Sequence, residues 1–279
     1  MTPDPAWFLP VALGAGGIVG LALGLTGGGG SIFAVPLLIY VLGLPPERAV
    51  PVSLVAVALT AAVGAAQSIR RHLVVWQPTL MFAAGGMAGA PLGFLLARGL
   101  PDRWLVGGFG LLALVVGVLM GRAARQNPAQ ATAVRARDYE PDGGPVCVLA
   151  PDGQFRFAAP CAAVLAVTGF GTGLLSGIFG IGGGFLIVPG LVFVTRMGVH
   201  RAVATSLVVI TVIGTSGAAS ALAHGSLDSR VLVPFAAGGA VAMLAGRKLA
   251  GQLAGPRLQT LFATLISLVG IAMLADAGT

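Results

Sequence analysis

The residues of this chain best suited to chemistry are backbone groups exposed by missing side chains. Two clusters, Gly27-Gly28-Gly29-Gly30-Ser31 and Gly180-Ile181-Gly182-Gly183-Gly184, stand inside apolar segments. Such runs of glycine break a helix, and the helix that resumes after them begins with N–H groups that have no intrahelical partner. Within hydrocarbon, unpaired backbone is tolerated only where it faces protein or a polar cavity. Two helix starts near the bilayer midplane would offer N–H groups and positive dipole ends to an anion, and bare glycine lets a solute approach the backbone. Anion binding is therefore the chemistry expected of Gly27, Gly28, Gly29 and Gly30, with the Ser31 hydroxyl as a directed donor, and of Gly180, Gly182, Gly183 and Gly184.

Other side chains admit two roles each. Ser53, Thr205 and Ser206 open the spans that follow the breaks, where their hydroxyls either line a cavity or cap a helix. Arg48 and Arg201 occupy matching places after the two short segments and either steer anions at two mouths or anchor at the interface. Arg247-Lys248 either reaches an anion pathway or snorkels to the membrane surface, the second being favoured. The nine acids are expected in loops or tails, which leaves no buried carboxylate as proton relay or sodium ligand. An anion leaving a cell with a negative interior needs neither, because the potential supplies about 2.3 kcal/mol per charge per 100 mV. His72, His200 and His224 fall in loops, two cysteines lack metal-ligand spacing, and no H-E-x-x-H run occurs. Neither a metal nor a cofactor is expected.

The elements that position these residues come in duplicate. Gly24 to Pro36 and Gly177 to Pro189 share one pattern at an offset of 153 positions. Gly16, Gly20, Gly24, Gly27, Gly29 and Gly30 match Gly169, Gly173, Gly177, Gly180, Gly182 and Gly183, and the register continues through Arg48-Ala49-Val50 to Phe82-Ala-Ala-Gly-Gly86. The chain is therefore two homologous halves. Gly16, Gly20 and Gly24, and their counterparts, are spaced by four, as in helices that approach closely.

With 56% hydrophobic and 9% charged residues, the chain reads as an all-α polytopic membrane protein in contact with the lipid bilayer. The first apolar run belongs to the repeat and has no basic n-region, so it is expected to be a retained segment. Each half is expected to hold one broken segment (about 7–42 and 158–195) and three spans, near 52–69, 79–97 and 104–121, then 203–223, 231–249 and 258–275. Domains are expected at 1–121 and 158–279, joined by an extramembrane, flexible linker at 122–157. The formal charge of +7 is scattered between apolar spans, which is ordinary for membrane loops and excludes nucleic acid as the expected partner.

If each broken segment returns to the side it came from, the halves insert as inverted repeats and twelve of the sixteen basic residues share the linker's face. If each crosses, the halves are parallel and the split is eight to eight. The positive-inside rule favours inverted repeats with a cytoplasmic linker, although a count without the linker and its flanks reverses the preference, so both arrangements stand.

The doubled G-x-x-x-G-x-x-G-x-G-G-G…V-P block, followed by R-A-V-x-x-S-L, resembles the sulfite exporter TauE/SafE family, also called the 4-toluene sulfonate uptake permeases. The resemblance covers nearly all of the chain outside the linker. It implies transport of small sulfur-containing anions, such as sulfite or organosulfonates, across a bacterial inner membrane, and the missing carboxylates favour export. Two departures make the halves unequal: A-x-x-T-S-L is intact at Ala202–Leu207 but has Val52 in the first half, and Gly89-Ala-Pro-Leu-Gly93 becomes Ala242-Met-Leu-Ala-Gly246.

Three rivals remain. One is a transporter of an unrelated small solute, and another is a non-transporting scaffold. The third is an intramembrane serine protease built on Gly214-Thr-Ser-Gly217, for which no later span holds a histidine base.

Overall fold

A computed structural model describes residues 5–126, 148–149, 155–156, 159–180, 183–195, 197, 199–223, 227–253 and 256–277. The first half comprises α1 (Pro5–Thr26), the short α2 (Gly29–Val41), α3 (Pro46–Arg70), α4 (Trp76–Arg98) and α5 (Asp102–Gln126). The second comprises α6 (Ala159–Phe179), the short α7 (Gly184–Thr195), α8 (Val199–Ala223), α9 (Ser229–Leu253) and α10 (Pro256–Ala277). Eight of these, all except α2 and α7, are long and apolar enough to cross a membrane. Between α5 and α6, β1 (Val148–Leu149) pairs antiparallel with β2 (Phe155–Arg156). The rest of the linker, and with it the expected flexibility, lies outside the described residues.

Several boundaries follow directly from local chemistry. Pro46 sits at the start of α3, where its missing N–H costs nothing, and Glu47 meets the positive end of the helix dipole. In α2 the backbone is 3₁₀ over Gly29–Phe33 and π over Leu37–Val41, on either side of Pro36, which cannot donate to an ordinary helical ladder. The expected placement of every acid in a loop or tail is corrected for three of them. Glu47 and Asp102 belong to the first turns of α3 and α5, and Asp276 to the last turn of α10.

Two helices form the centre. The most apolar stretch of α3 is 72% buried and that of α8 67%, against 28–44% for the other spans. They cross antiparallel, with Gly64 against Leu207, Ala58 against Gly214 and Leu54 against Gly217. Beside this pair α9 runs parallel to α3, setting Gly239 on Thr60 and Met243 on Gly64, while α4 runs parallel to α8 through Gly86 on Ile213 and Gly217 on Ala90.

The glycines spaced by four account for the next layer. A β-carbon on Gly16 or Gly20 would collide with the α9 backbone at Phe235 or Gly239, and one on Gly24 would lie 2.7 Å from the Met243 carbonyl. Gly169, Gly173 and Gly177 meet the α4 backbone at Phe82, Gly86 and Ala90 in the same way. Backbones in such contact gain packing that lipid tails cannot match. On the outside, α5 and α10 pair antiparallel through Gly110 on Gly270. Leu92, Leu96, Leu111, Leu119, Leu261 and Leu268 face outward, and Trp7, Trp76 and Trp104 are exposed near helix starts, as in an interfacial aromatic belt.

Candidate functional site

Each long helix before a break ends on a left-handed glycine. Gly27 has φ 74° and Gly180 φ 71°. Their N–H groups still donate to the main-chain carbonyls of Leu23 (2.7 Å) and Ser176 (2.8 Å), closing the last turns of α1 and α6. The carbonyls beyond these turns leave the helical ladder, and the opposite half receives them. Ser206 Oγ donates to the Gly27 carbonyl at 2.8 Å and also reaches Val203 O at 2.9 Å. Ser53 Oγ makes the matching contacts to the Gly180 carbonyl and to Val50 O. Ser53 and Ser206 are fully buried, so each break is held by a hydroxyl from the other half's central helix. Loss of a buried acceptor's partner costs about 1–3 kcal/mol.

Beyond the left-handed residue the chain turns inward and the two breaks meet. A β-carbon on Gly28 would collide with the Gly184 carbonyl, and one on Gly184 would come 2.8 Å from Gly28 O. Gly27, Gly28, Gly29, Gly30, Ser31, Gly183 and Gly184 are buried within protein, as non-helical backbone at membrane depth must be. Gly30 rests on the α1 backbone at Ala22 and Leu23. Ser31 Oγ donates to Gly28 O at 2.9 Å, so its proton is already engaged. Gly182 lies outside the described residues.

The remaining sequence candidates are distributed as follows. Ser53 is in the second turn of α3, which starts after Pro45 without a side-chain cap, so the capping reading does not hold for it. Thr205 is buried and accepts a hydrogen bond from Val75 N–H (3.2 Å), which fixes the approach to α4. Arg48 and Arg201 are exposed in the first turns of antiparallel helices, so they stand at opposite ends of the molecule. Arg48 lines a cavity of about 710 Å³ together with Glu47, Arg98, Asp228 and Arg230. Arg247 is half-buried, and its guanidinium donates to Gly64 O and to Ser68 Oγ (2.7 Å), clasping α9 to the end of α3. Ser216 donates to the Met87 carbonyl at 2.9 Å. Among the described residues no group of three His, Cys, Asp or Glu could hold a metal.

One residue escaped the sequence reading. Ser176, in the last turns of α6, is 1% exposed, and its Oγ has no hydrogen-bond partner among the described residues. Among the described residues the other eight buried hydroxyl side chains all have one. The signal was present, since the counterpart of Ser176 at the 153-residue offset is Leu23.

Eight apolar spans with two buried, mutually contacting helix breaks make this a multi-pass membrane protein. The family model described as sulfite exporter TauE/SafE matches residues 12–273, and the chain belongs to that family. It is 36% identical over 266 residues to a probable membrane transporter protein of Xylella fastidiosa (strain Temecula1 / ATCC 700964), covering 94% of each chain. It is 25% identical over 231 residues to the probable membrane transporter protein YunE of Bacillus subtilis (strain 168), covering 79% of this chain and 80% of YunE. With the probable membrane transporter protein MamO of Paramagnetospirillum magneticum (strain ATCC 700264 / AMB-1) it shares 28% identity over 222 residues, 75% of this chain but 35% of MamO. No solved structure matches. The protein is thus a multi-pass bacterial membrane transporter, and family and relatives indicate transport and not enzymatic catalysis.

Proposed function

We propose that this transporter carries small sulfur-containing anions, sulfite or organosulfonates, across the bacterial inner membrane, in the direction of export. The observation that carries this reading is the contact of Gly28 with Gly184, which brings the starts of α2 and α7 together inside the protein. Helix starts carry unpaired N–H groups and a positive dipole end, and both favour an anion. The substrate-binding set is Gly27–Ser31 with Gly180, Gly182, Gly183 and Gly184. Within it Gly27 and Gly180 shape the turns, and Ser53 and Ser206 hold those turns in place. Thr205 acts one step further out by fixing the start of α4. Arg48 belongs to the cavity on one side and Arg201 to the opposite end, where each attracts anions to a mouth.

We further propose that the halves, 1–121 and 158–279, are inverted repeats. The antiparallel course of the counterparts α3 and α8, and of α5 and α10, supports this. In this arrangement α1 and α2 return to one side, and the Tyr40 hydroxyl donating to Asp276 at the end of α10 (3.1 Å) marks that side.

The test is flux in proteoliposomes. Labelled sulfite and labelled methanesulfonate are expected to move down an imposed potential, with no added proton or sodium gradient. Flux that ignores the potential and requires either cation gradient would overturn the mechanism, and flux of neither anion would overturn the substrate class.

A further inference from the structure

We propose that Ser176 is the side chain that selects the anion, and that the site is one-sided, with the substrate's oxygen bound by the Ser176 hydroxyl beside the start of α7. This rests on the reading of the breaks as an anion site and deepens it. The N-terminus of α7 is one observation, and the unpartnered Ser176 Oγ, in a side chain 1% exposed, is the second and independent one.

Helical serines and threonines in apolar surroundings commonly turn their hydroxyl back onto the carbonyl three or four residues earlier. This protein follows that habit at Ser68, Thr60, Thr79 and Thr195. Ser176 does not. Its β-carbon is 3.4 Å from where a β-carbon on Gly183 would stand, so the side chain borders the residue that precedes α7. Gly183 itself is left-handed (φ 67°) and sets no side chain against Ser176. A buried hydroxyl with no partner, next to a helix start and a bare backbone, is a donor kept for something the protein does not supply. An oxyanion supplies it, because a hydroxyl donates to a charged oxygen more strongly than to a neutral one. At the matching place in the first half stands Leu23, fully buried and apolar, so only the second break offers this donor.

The test compares Ser176→Ala with wild type in purified, reconstituted protein, using labelled sulfite and methanesulfonate. Three quantities are read: the half-saturating anion concentration, maximal flux, and the melting-temperature shift caused by sulfite. The expected result is a melting temperature without anion equal to or above that of wild type, since an unpartnered hydroxyl is removed. The half-saturating concentration should rise about tenfold or more, and the sulfite-induced shift should disappear. Ser176→Cys, nearly isosteric with a weaker donor, should fall between the two, and it serves as the reading if Ser176→Ala does not fold. An unchanged half-saturating concentration in a folded variant overturns the proposal while leaving the transport reading in place, as does a lowered melting temperature with flux falling in proportion. Wild type moving neither anion overturns both.

Discussion

The two breaks share one backbone plan and differ in polar equipment. Gly27 and Gly180 have nearly the same left-handed φ, and each carbonyl is received by a serine of the opposite half. Around that common frame the side chains diverge: Leu23 stands opposite Ser176, Ser31 opposite Gly184, Val52 opposite Thr205, and Phe94 opposite Arg247. The backbone plan is shared at matching positions, whereas the polar side chains at those positions are not. This difference separates residues whose loss should hurt both halves alike from those whose loss should not.

The largest and most symmetric effect is expected at the close approaches. Gly20→Val and Gly173→Val both push a side chain into facing backbone, at Gly239 and Gly86, with no flexible group able to yield. Overpacking of this kind costs about 1–3 kcal/mol or more. Both variants should lose the monodisperse peak in detergent chromatography, and a variant that kept it would break the equivalence of the two contacts. Next come Ser53→Ala and Ser206→Ala, each leaving a break carbonyl unpaired at about 1–3 kcal/mol. Their melting temperatures should fall by similar amounts, and a one-sided fall would show that the breaks are not equivalent supports.

Arg247→Phe, which installs the first-half residue, should sharpen the asymmetry. It removes the donors to Gly64 O and Ser68 Oγ, while Ser68 Oγ still donates to Gly64 O at 2.9 Å. A loss of about 1 kcal/mol is expected, measured as a smaller melting-temperature shift than either serine variant produces. The smallest effect belongs to Ser216→Ala, whose hydroxyl only reaches the Met87 carbonyl. Anion flux should be unchanged, and flux lost in a folded variant would show that this hydroxyl does more than join α8 to α4.

How legible all this was in the sequence depended on whether the information was periodic or tertiary. The spans, the breaks and the packing glycines could be read because spacing by four and runs of apolar residues act locally. The serines were located but their purpose was not. Ser53 meets a carbonyl 127 residues away and Ser206 one 179 residues away, and nothing in either neighbourhood encodes that. A cation near a span's end usually snorkels, which is what the sequence favours for Arg247, yet the end of α3 lies within its reach and accepts its hydrogen bonds. Within the break itself, the glycine run had more structural reason than expected: Gly27 ends a helix, Gly28 meets the other half and Gly30 lies on α1. Ser176 could have been found by comparing the halves position by position, but a single serine in an apolar helix has an ordinary explanation that only burial without a partner removes.

If the meeting point of the breaks holds an anion moved by the membrane potential, flux must follow that potential. The most direct measurement is the initial flux of labelled sulfite from proteoliposomes at a series of imposed potentials, with protons and sodium equal on both sides. Flux should rise with a negative interior and be lost when Gly28 is replaced by alanine at the contact with Gly184. Flux indifferent to potential, or unaltered in a folded Gly28→Ala protein, would contradict this expectation.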